Sequence, residues 1–136
     1  MISTKGRYAI RLMLDLAGQN TDTPVPLTAI ANRQNISKKY LEAIVKLLVE
    51  GKLVKSSSGK GGGYSLLRTP SEYTVWEILS LTEESMSSVA CLADGATECP
   101  RESSCQTISM WRKYDNLVKD YFSNITINDL LNNKLE

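Results

Sequence analysis

Four glycines in five residues, Gly59-Lys60-Gly61-Gly62-Gly63, constrain this chain more than any other feature. Glycine tolerates positive φ, and the run is flanked by β-capable stretches, Leu53-Val54-Lys55-Ser56-Ser57-Ser58 before it and Tyr64-Ser65-Leu66-Leu67 after it. It therefore reads as the turn of a hairpin. A phosphate cradle would need GxxxxGK[ST] or GxGxxG spacing leading into a helix, and the run has neither. Just upstream lie two short helical stripes. Leu27, Ile30 and Ala31 form one, which Pro26 can start; Leu41, Ile44, Val45 and Leu48 form the other, capped by Ser37 and stopped at Gly51. Only Gln34-Asn35-Ile36 separates them. Two short helices across a tight turn, followed directly by a hairpin, outline a winged helix-turn-helix.

The remaining pattern makes the fold mainly α. A first helix begins at Thr4 and runs through Ala9, Leu12, Met13, Leu16 and Ala17 to Gly18, and Thr21 to Pro26 reads as a loop. Thr74-Val75-Trp76-Glu77 has the form of a capping box opening a fourth helix through Ile78, Leu79 and Leu81. From Glu83 to Ser104 periodicity disappears, leaving a loop of a length that compact domains seldom keep without a functional reason or disorder. Ser103-Ser104-Cys105-Gln106 then reads as a second capping box, opening a long helix through Ile108, Trp111, Tyr114, Leu117, Val118, Tyr121 and Phe122. Thr126 and Asp129 start a last helical turn. The expected divisions are residues 1–82 as winged helix-turn-helix with a two-stranded wing, 83–105 as a cysteine-bearing loop, and 106–136 as a long C-terminal dimerisation helix with its terminal turn. No stretch approaches the roughly 18 apolar residues of a membrane span, so a soluble, cytoplasmic chain is expected.

The net charge of +1 hides an asymmetry. Residues 1–68 hold 11 Lys/Arg against 4 Asp/Glu, and the rest hold 5 against 11. A basic half favours a polyanionic partner through counterion release. The exposed face of the third helix offers Ser37, Lys38, Lys39, Tyr40, Glu42, Ala43 and Lys46 for a DNA groove. Lys38 and Lys39 oppose the macrodipole of the helix they start, at a few tenths of a kcal/mol each, which points to a phosphate or guanine contact there. Glu42 can accept from a cytosine amino group. Ser56, Ser58, Lys60 and Gly61 of the wing suit backbone or minor-groove contact. Lys5, Arg7, Arg33 and Asn35 are secondary phosphate candidates.

Cys91, Cys99 and Cys105 are the only cysteines, and there is no histidine. An odd number outside an apolar pattern argues against a disulfide framework and against core packing. Three soft thiolates favour an iron-sulfur centre; structural zinc, which prefers close CxxC pairs and four N/S ligands, and a thiol redox switch are the alternatives. No histidine, nucleophile-base pair or convergent carboxylate pair supports an enzyme.

With Ile2-Ser3-Thr4-Lys5-Gly6-Arg7-Tyr8-Ala9, Ile36-Ser37-Lys38-Lys39-Tyr40-Leu41-Glu42, Gly61-Gly62-Gly63-Tyr64, the three cysteines, Trp111 and Asn124-Ile125-Thr126, the chain resembles the IscR-type iron-sulfur regulators within the Rrf-two group of winged-helix repressors. The resemblance covers nearly the whole chain. It implies a homodimer paired through the long helix, with Ile108, Trp111, Leu117, Val118 and Tyr121 as interface candidates, on pseudo-palindromic double-stranded promoter DNA. It further implies a [2Fe-2S] cluster, with [4Fe-4S] as second choice, held by Cys91, Cys99 and Cys105. The cluster's occupancy would report iron, oxygen or nitric oxide, and Glu42 matches the family's acid that gates sequence choice. The targets implied are iron-sulfur assembly or sulfur-metabolism genes.

The chain departs from that pattern at the fourth cluster ligand. The family's histidine position is Ile108, and the acidic position used by nitric-oxide-sensing relatives is Arg7. A loop carboxylate or hydroxyl (Asp94, Glu98, Glu102, Ser104), a partner group or solvent must fill the gap, which suggests a labile cluster. Ser58 also replaces the family's wing arginine. Two rival readings stand beside this one: a cluster-free regulator answering to thiol oxidation or a protein partner, and an iron-sulfur carrier or electron-transfer protein.

Overall fold

The computed structural model describes residues 1–19 and 22–135. The Thr21 end of the expected loop and Glu136 lie outside the described residues. The elements are α1 (Thr4–Gln19), α2 (Leu27–Gln34), α3 (Lys38–Glu50), β1 (Val54–Ser57), β2 (Gly63–Leu66), α4 (Val75–Thr82), α5 (Ile108–Ser123) and α6 (Ile127–Leu131), with 3₁₀ turns at Pro70–Glu72, Ala90–Leu92 and Glu102–Ser104. This is the expected mainly α winged helix-turn-helix. None of its described helices is long and apolar enough to cross a membrane.

The helix-turn-helix is closed by two local devices. Asn35 ends α2 in the left-handed conformation at φ 53°, which asparagine tolerates, and the Ser37 hydroxyl accepts from the Tyr40 amide to start α3. At the other end of α3, which stops at Gly51 as expected, the left-handed residue is Lys52, at φ 60°. Gly51 is small for a different reason, because a Cβ there would meet the Leu81 side chain at 2.4 Å. Apolar stripes of α1, α2 and α3 bury Leu12, Met13, Ile30, Leu41, Ile44 and Leu48 completely in one core, which α4 and Ile127 of α6 complete. A buried acid sits in the α1 stripe. Asp15 accepts from the Arg33 guanidinium at 2.8 Å and from the Gln34 amide at 3.0 Å, clamping α1 to α2. Arg33 thereby gives its Nε and one Nη to the fold, while its side chain stays 40% exposed.

The wing is antiparallel, pairing Val54 with Leu66 through to Ser57 with Gly63. It is anchored on its far side by Val25, whose amide and carbonyl both bond Tyr64 at 2.9 Å. That approach explains one glycine of the run: a Cβ on Gly63 would lie 2.3 Å from the Val25 carbonyl oxygen. Tyr73, fully buried, fastens the base of the hairpin. Its hydroxyl donates to the Leu53 carbonyl at 2.6 Å and accepts from the Leu67 and Arg68 amides at 2.9 Å.

Two capping expectations need correction. Thr74 does cap α4, accepting from the Glu77 amide, but the Glu77 carboxylate turns away to pair with Arg68 at 2.8 Å, so only half of the box forms. The box at Ser103–Gln106 does not form. Successive i to i+3 bonds (Glu102 amide to Cys99 carbonyl, Ser104 to Arg101, Cys105 to Glu102) make a 3₁₀ turn there instead of a helix start, and α5 opens only at Ile108 after Thr107. Cys105 thus lies before the helix, not in its first turn. The Thr126–Asp129 box forms fully.

Candidate DNA interface and cysteine cavity

Every sequence-expected DNA residue of the third helix is exposed: Ser37, Lys38, Lys39, Tyr40, Glu42, Ala43 and Lys46 all stand outside the core that Leu41, Ile44, Val45 and Leu48 enter. One amphipathic helix therefore buries its apolar stripe and leaves a cationic face free. Tyr40 is also propped from behind. Its ring meets Tyr8 of α1 edge-on at 5.6 Å, and the Arg11 guanidinium lies 5.2 Å over the Tyr8 ring. This aromatic support was not apparent from sequence. In the wing, Ser56 lies on β1 opposite Tyr64, while Ser58, Lys60 and Gly61 form the exposed turn, with Gly59 and Gly61 at positive φ and open space where a Cβ on either would lie.

The cysteines come together from two turns of the loop. Cys91 sits in the Ala90–Leu92 turn, Cys99 and Cys105 bracket the Glu102–Ser104 turn, and all three thiols are free. Together they line one cavity of about 180 Å³, with Glu98, Glu102, Ile108 and Arg112 among its other walls. Of the loop groups that the sequence offered as a fourth ligand, Glu98 and Glu102 border this cavity and Asp94 and Ser104 do not. Ile108 gives its wall only hydrocarbon. Arg112, one helical turn past Ile108, was not expected at the site; its i+4 spacing from Ile108 is the sequence signal that would have found it.

The Thr107 hydroxyl, 3.5 Å from the Cys105 sulfur, and the Thr107 and Ile108 backbone amides hold that thiol below its ordinary range. The Thr107 hydroxyl contributes most, so the thiol is held mainly by the residue that precedes α5 rather than by the helix itself. Among the described residues no three ligating side chains stand close enough to hold a single metal ion. Donor set and space instead suit a larger group. Three cysteine sulfurs around a cavity of this size suit an iron-sulfur cluster in kind.

The loop also reaches the DNA-binding body. Its first residue, Glu83, accepts from the Ser3 amide at 3.0 Å and the Ser3 hydroxyl at 2.9 Å, and Ser3 in turn caps the Gly6 amide at 3.0 Å. Gly6 has no room for a side chain, a Cβ lying 2.3 Å from Glu83 Oε1.

Helix α5 has two apolar faces. Ile108, Trp111 and Val118 are half-buried, while Met110, Tyr114, Leu117 and Tyr121 are 51–70% exposed. The five interface candidates are thus split, Leu117 and Tyr121 outward and the others inward; Met110 and Tyr114 share the outward face.

Comparison with known proteins places this arrangement. The Rrf2 model, described as an iron-dependent transcriptional regulator, matches residues 2–133. The HTH-type transcriptional regulator IscR of Pectobacterium atrosepticum is 38% identical over 133 residues, 98% of this chain and 80% of that protein. Among solved structures, CymR (YrzC), the global cysteine regulator of B. subtilis, matches with a TM-score of 0.77 and 35% identity over 97% of this chain and 96% of that one. T. potens IscR matches with a TM-score of 0.78 and 33% identity over 98% of this chain and 88% of that one. All three are regulators rather than enzymes. The chain belongs to the Rrf2 family of DNA-binding transcriptional regulators.

Proposed function

We propose that the chain is a cytoplasmic homodimeric repressor whose choice of promoter depends on a [2Fe-2S] cluster held by Cys91, Cys99 and Cys105. The observation that carries this reading is the meeting of all the chain's cysteines at one cavity beside α5. A bound cluster supplies a redox- and ligand-sensitive centre that iron, oxygen or nitric oxide alters. The residues divide the work: 1–82 read DNA, 83–105 hold the cluster and 106–136 pair the subunits. Each subunit presents α3 to one half-site of a pseudo-palindromic operator, with Lys38 and Lys39 on phosphates or guanine and Glu42 restricting sequence. The wing tip at Lys60 and the Ser56 and Ser58 hydroxyls add backbone grip.

Coupling runs through a short chain of residues. The loop holding the cluster begins at Glu83, Glu83 fixes the start of α1, and α1 carries Tyr8, which supports Tyr40 on α3. A loop ordered around a cluster therefore biases the α1 start and the posture of the reading helix.

Two variants test the reading. Cys99→Ala is expected to remove visible absorbance from anaerobically prepared protein, leave a folded dimer and change which promoter fragments shift. If Cys99→Ala bound every fragment like the parent, cluster occupancy would not regulate. Lys39→Ala is expected to weaken binding to all operators and lower the slope of log affinity against log salt by about 0.9 for each phosphate no longer neutralised, with one such phosphate per subunit. An unchanged slope in filter-binding titrations removes Lys39 from the phosphate-binding set.

A second reading, regulation by thiol oxidation without a cluster, draws support from the lowered thiol of Cys105 and from the likeness to the cysteine regulator CymR. Colour and iron content of anaerobic protein separate the two.

A further inference from the structure

We infer that Glu102 is the fourth ligand of the cluster in this chain, an inference that rests on the cluster reading above. Iron-sulfur clusters are ordinarily held by four protein donors, and three are thiols here. The cavity that the thiols line is closed elsewhere by Ile108, Leu92 and Ala96, which offer no donor, and by Thr97, Glu98 and Glu102. Backbone geometry selects among these. The Glu102 amide bonds the Cys99 carbonyl at 3.1 Å, and the Cys105 amide bonds the Glu102 carbonyl at 3.4 Å. These are consecutive i to i+3 turns, so Cys99, Glu102 and Cys105 follow one another at 3₁₀ spacing, where side chains three apart eclipse along one edge. Glu102 is the acid placed between two of the three thiols, whereas Glu98 shares no such turn with Cys105.

The carboxylate is also easily released. Its partner is Arg112 at 3.0 Å, with both side chains about half exposed, and an ion pair in such surroundings holds weakly. Ligation moves a lone pair of Glu102 from the guanidinium to iron; no proton or electron is transferred. Arg112 remains on the cavity wall, where its charge opposes that of three thiolates and a carboxylate. An anionic oxygen is an accepted donor to iron, and it replaces the thiolate of an all-cysteine site without changing the ligand charge.

The test compares anaerobically reconstituted parent, Glu102→Gln, Glu102→Cys and Glu98→Gln, using ferrous iron and sulfide as the probe. Readouts are iron and sulfide per chain, visible circular dichroism, and half-life of the chromophore in air, with elution volume and far-ultraviolet dichroism checking each fold. Glu102→Gln is expected to alter the visible dichroism and lose its cluster several-fold faster than the parent, Glu102→Cys to outlast the parent, and Glu98→Gln to match it. Failure of Glu102→Gln to take up a cluster supports the assignment if Glu102→Cys restores it and counts against it otherwise. A loaded parent whose Glu102→Gln variant is spectroscopically unchanged, or a change that follows Glu98→Gln instead, overturns the ligand assignment alone. A parent that takes up no iron or sulfide overturns the cluster reading and this assignment with it.

Discussion

Tyr73→Phe is expected to lower the melting temperature by about 10 °C and to loosen the wing before the rest of the fold, although it removes a single oxygen. That oxygen serves three backbone groups. Leu53 lies just before β1, and Leu67 and Arg68 lie just after β2, so one hydroxyl fastens both ends of the hairpin where it leaves the core. Phenylalanine fills the same space without a donor or acceptor, leaving a buried carbonyl and two amides without the partner they have now. Each orphan costs about 1–3 kcal/mol, and partial rehydration at the hairpin edge brings the total to about 3 kcal/mol. Against a stability of about 5–15 kcal/mol that is a large fraction. Hydrogen exchange should locate the loss, with amides of residues 54–66 exchanging far faster than those of α1 and α3. A melting temperature within about 2 °C of the parent, with wing protection intact, would show that solvent satisfies the three groups and that Tyr73 is packing alone.

The same hydroxyl shows what kind of information a sequence withholds. Elements defined by local chemistry could be read directly: glycines at the wing turn, Ser37 and Thr126 as caps, and apolar stripes that place Leu41, Ile44 and Leu48 inward and Lys38, Lys39 and Glu42 outward. Features that depend on which distant group arrives could not. Tyr73 gave no period, because its function is set by three backbone atoms from either side of the hairpin. Asp15 interrupts an apolar stripe for a partner 18 residues away. Ser103-Ser104-Cys105-Gln106 satisfies the capping pattern, yet the chain there folds into the turns that link Cys99, Glu102 and Cys105, and α5 starts only at Ile108. The site was legible in its thiols, whose type and number suffice to suggest soft-metal chemistry, and illegible in its oxygen donor, since four loop residues offered one and only folding brings two to the cavity. Helix α5 posed a harder case, for both of its long faces are apolar and periodicity alone cannot say which one meets the core.

That ambiguity makes Leu117→Glu the most discriminating change in the molecule. Leu117 is 70% exposed, between Tyr114 at 53% and Tyr121 at 60%, with Met110 at 51% one turn further back. Their spacings of four, three and four residues are those of a coiled-coil seam, and such a run of large apolar side chains in a small chain marks an interaction surface. In the proposed homodimer the two copies of this face meet across a twofold axis, so each substitution sets a carboxylate against its own copy in a place losing its water. Burying such a charge without a partner costs several kcal/mol, and the dimerisation constant should weaken by at least about 100-fold. Folding should be spared, because α5 contributes no fully buried residue to the core. Sedimentation at micromolar concentration is thus expected to give a monomer with the parent's far-ultraviolet dichroism and nearly its melting temperature. Operator affinity should fall on the order of 100-fold, since two half-sites no longer share one tethered protein. Binding to an isolated half-site should barely change. If Leu117→Glu still sediments as a dimer, the subunits pair through a face other than the one that carries Leu117. If it is monomeric yet binds the full operator as the parent does, the DNA itself assembles the pair and the helix seam adds nothing to recognition.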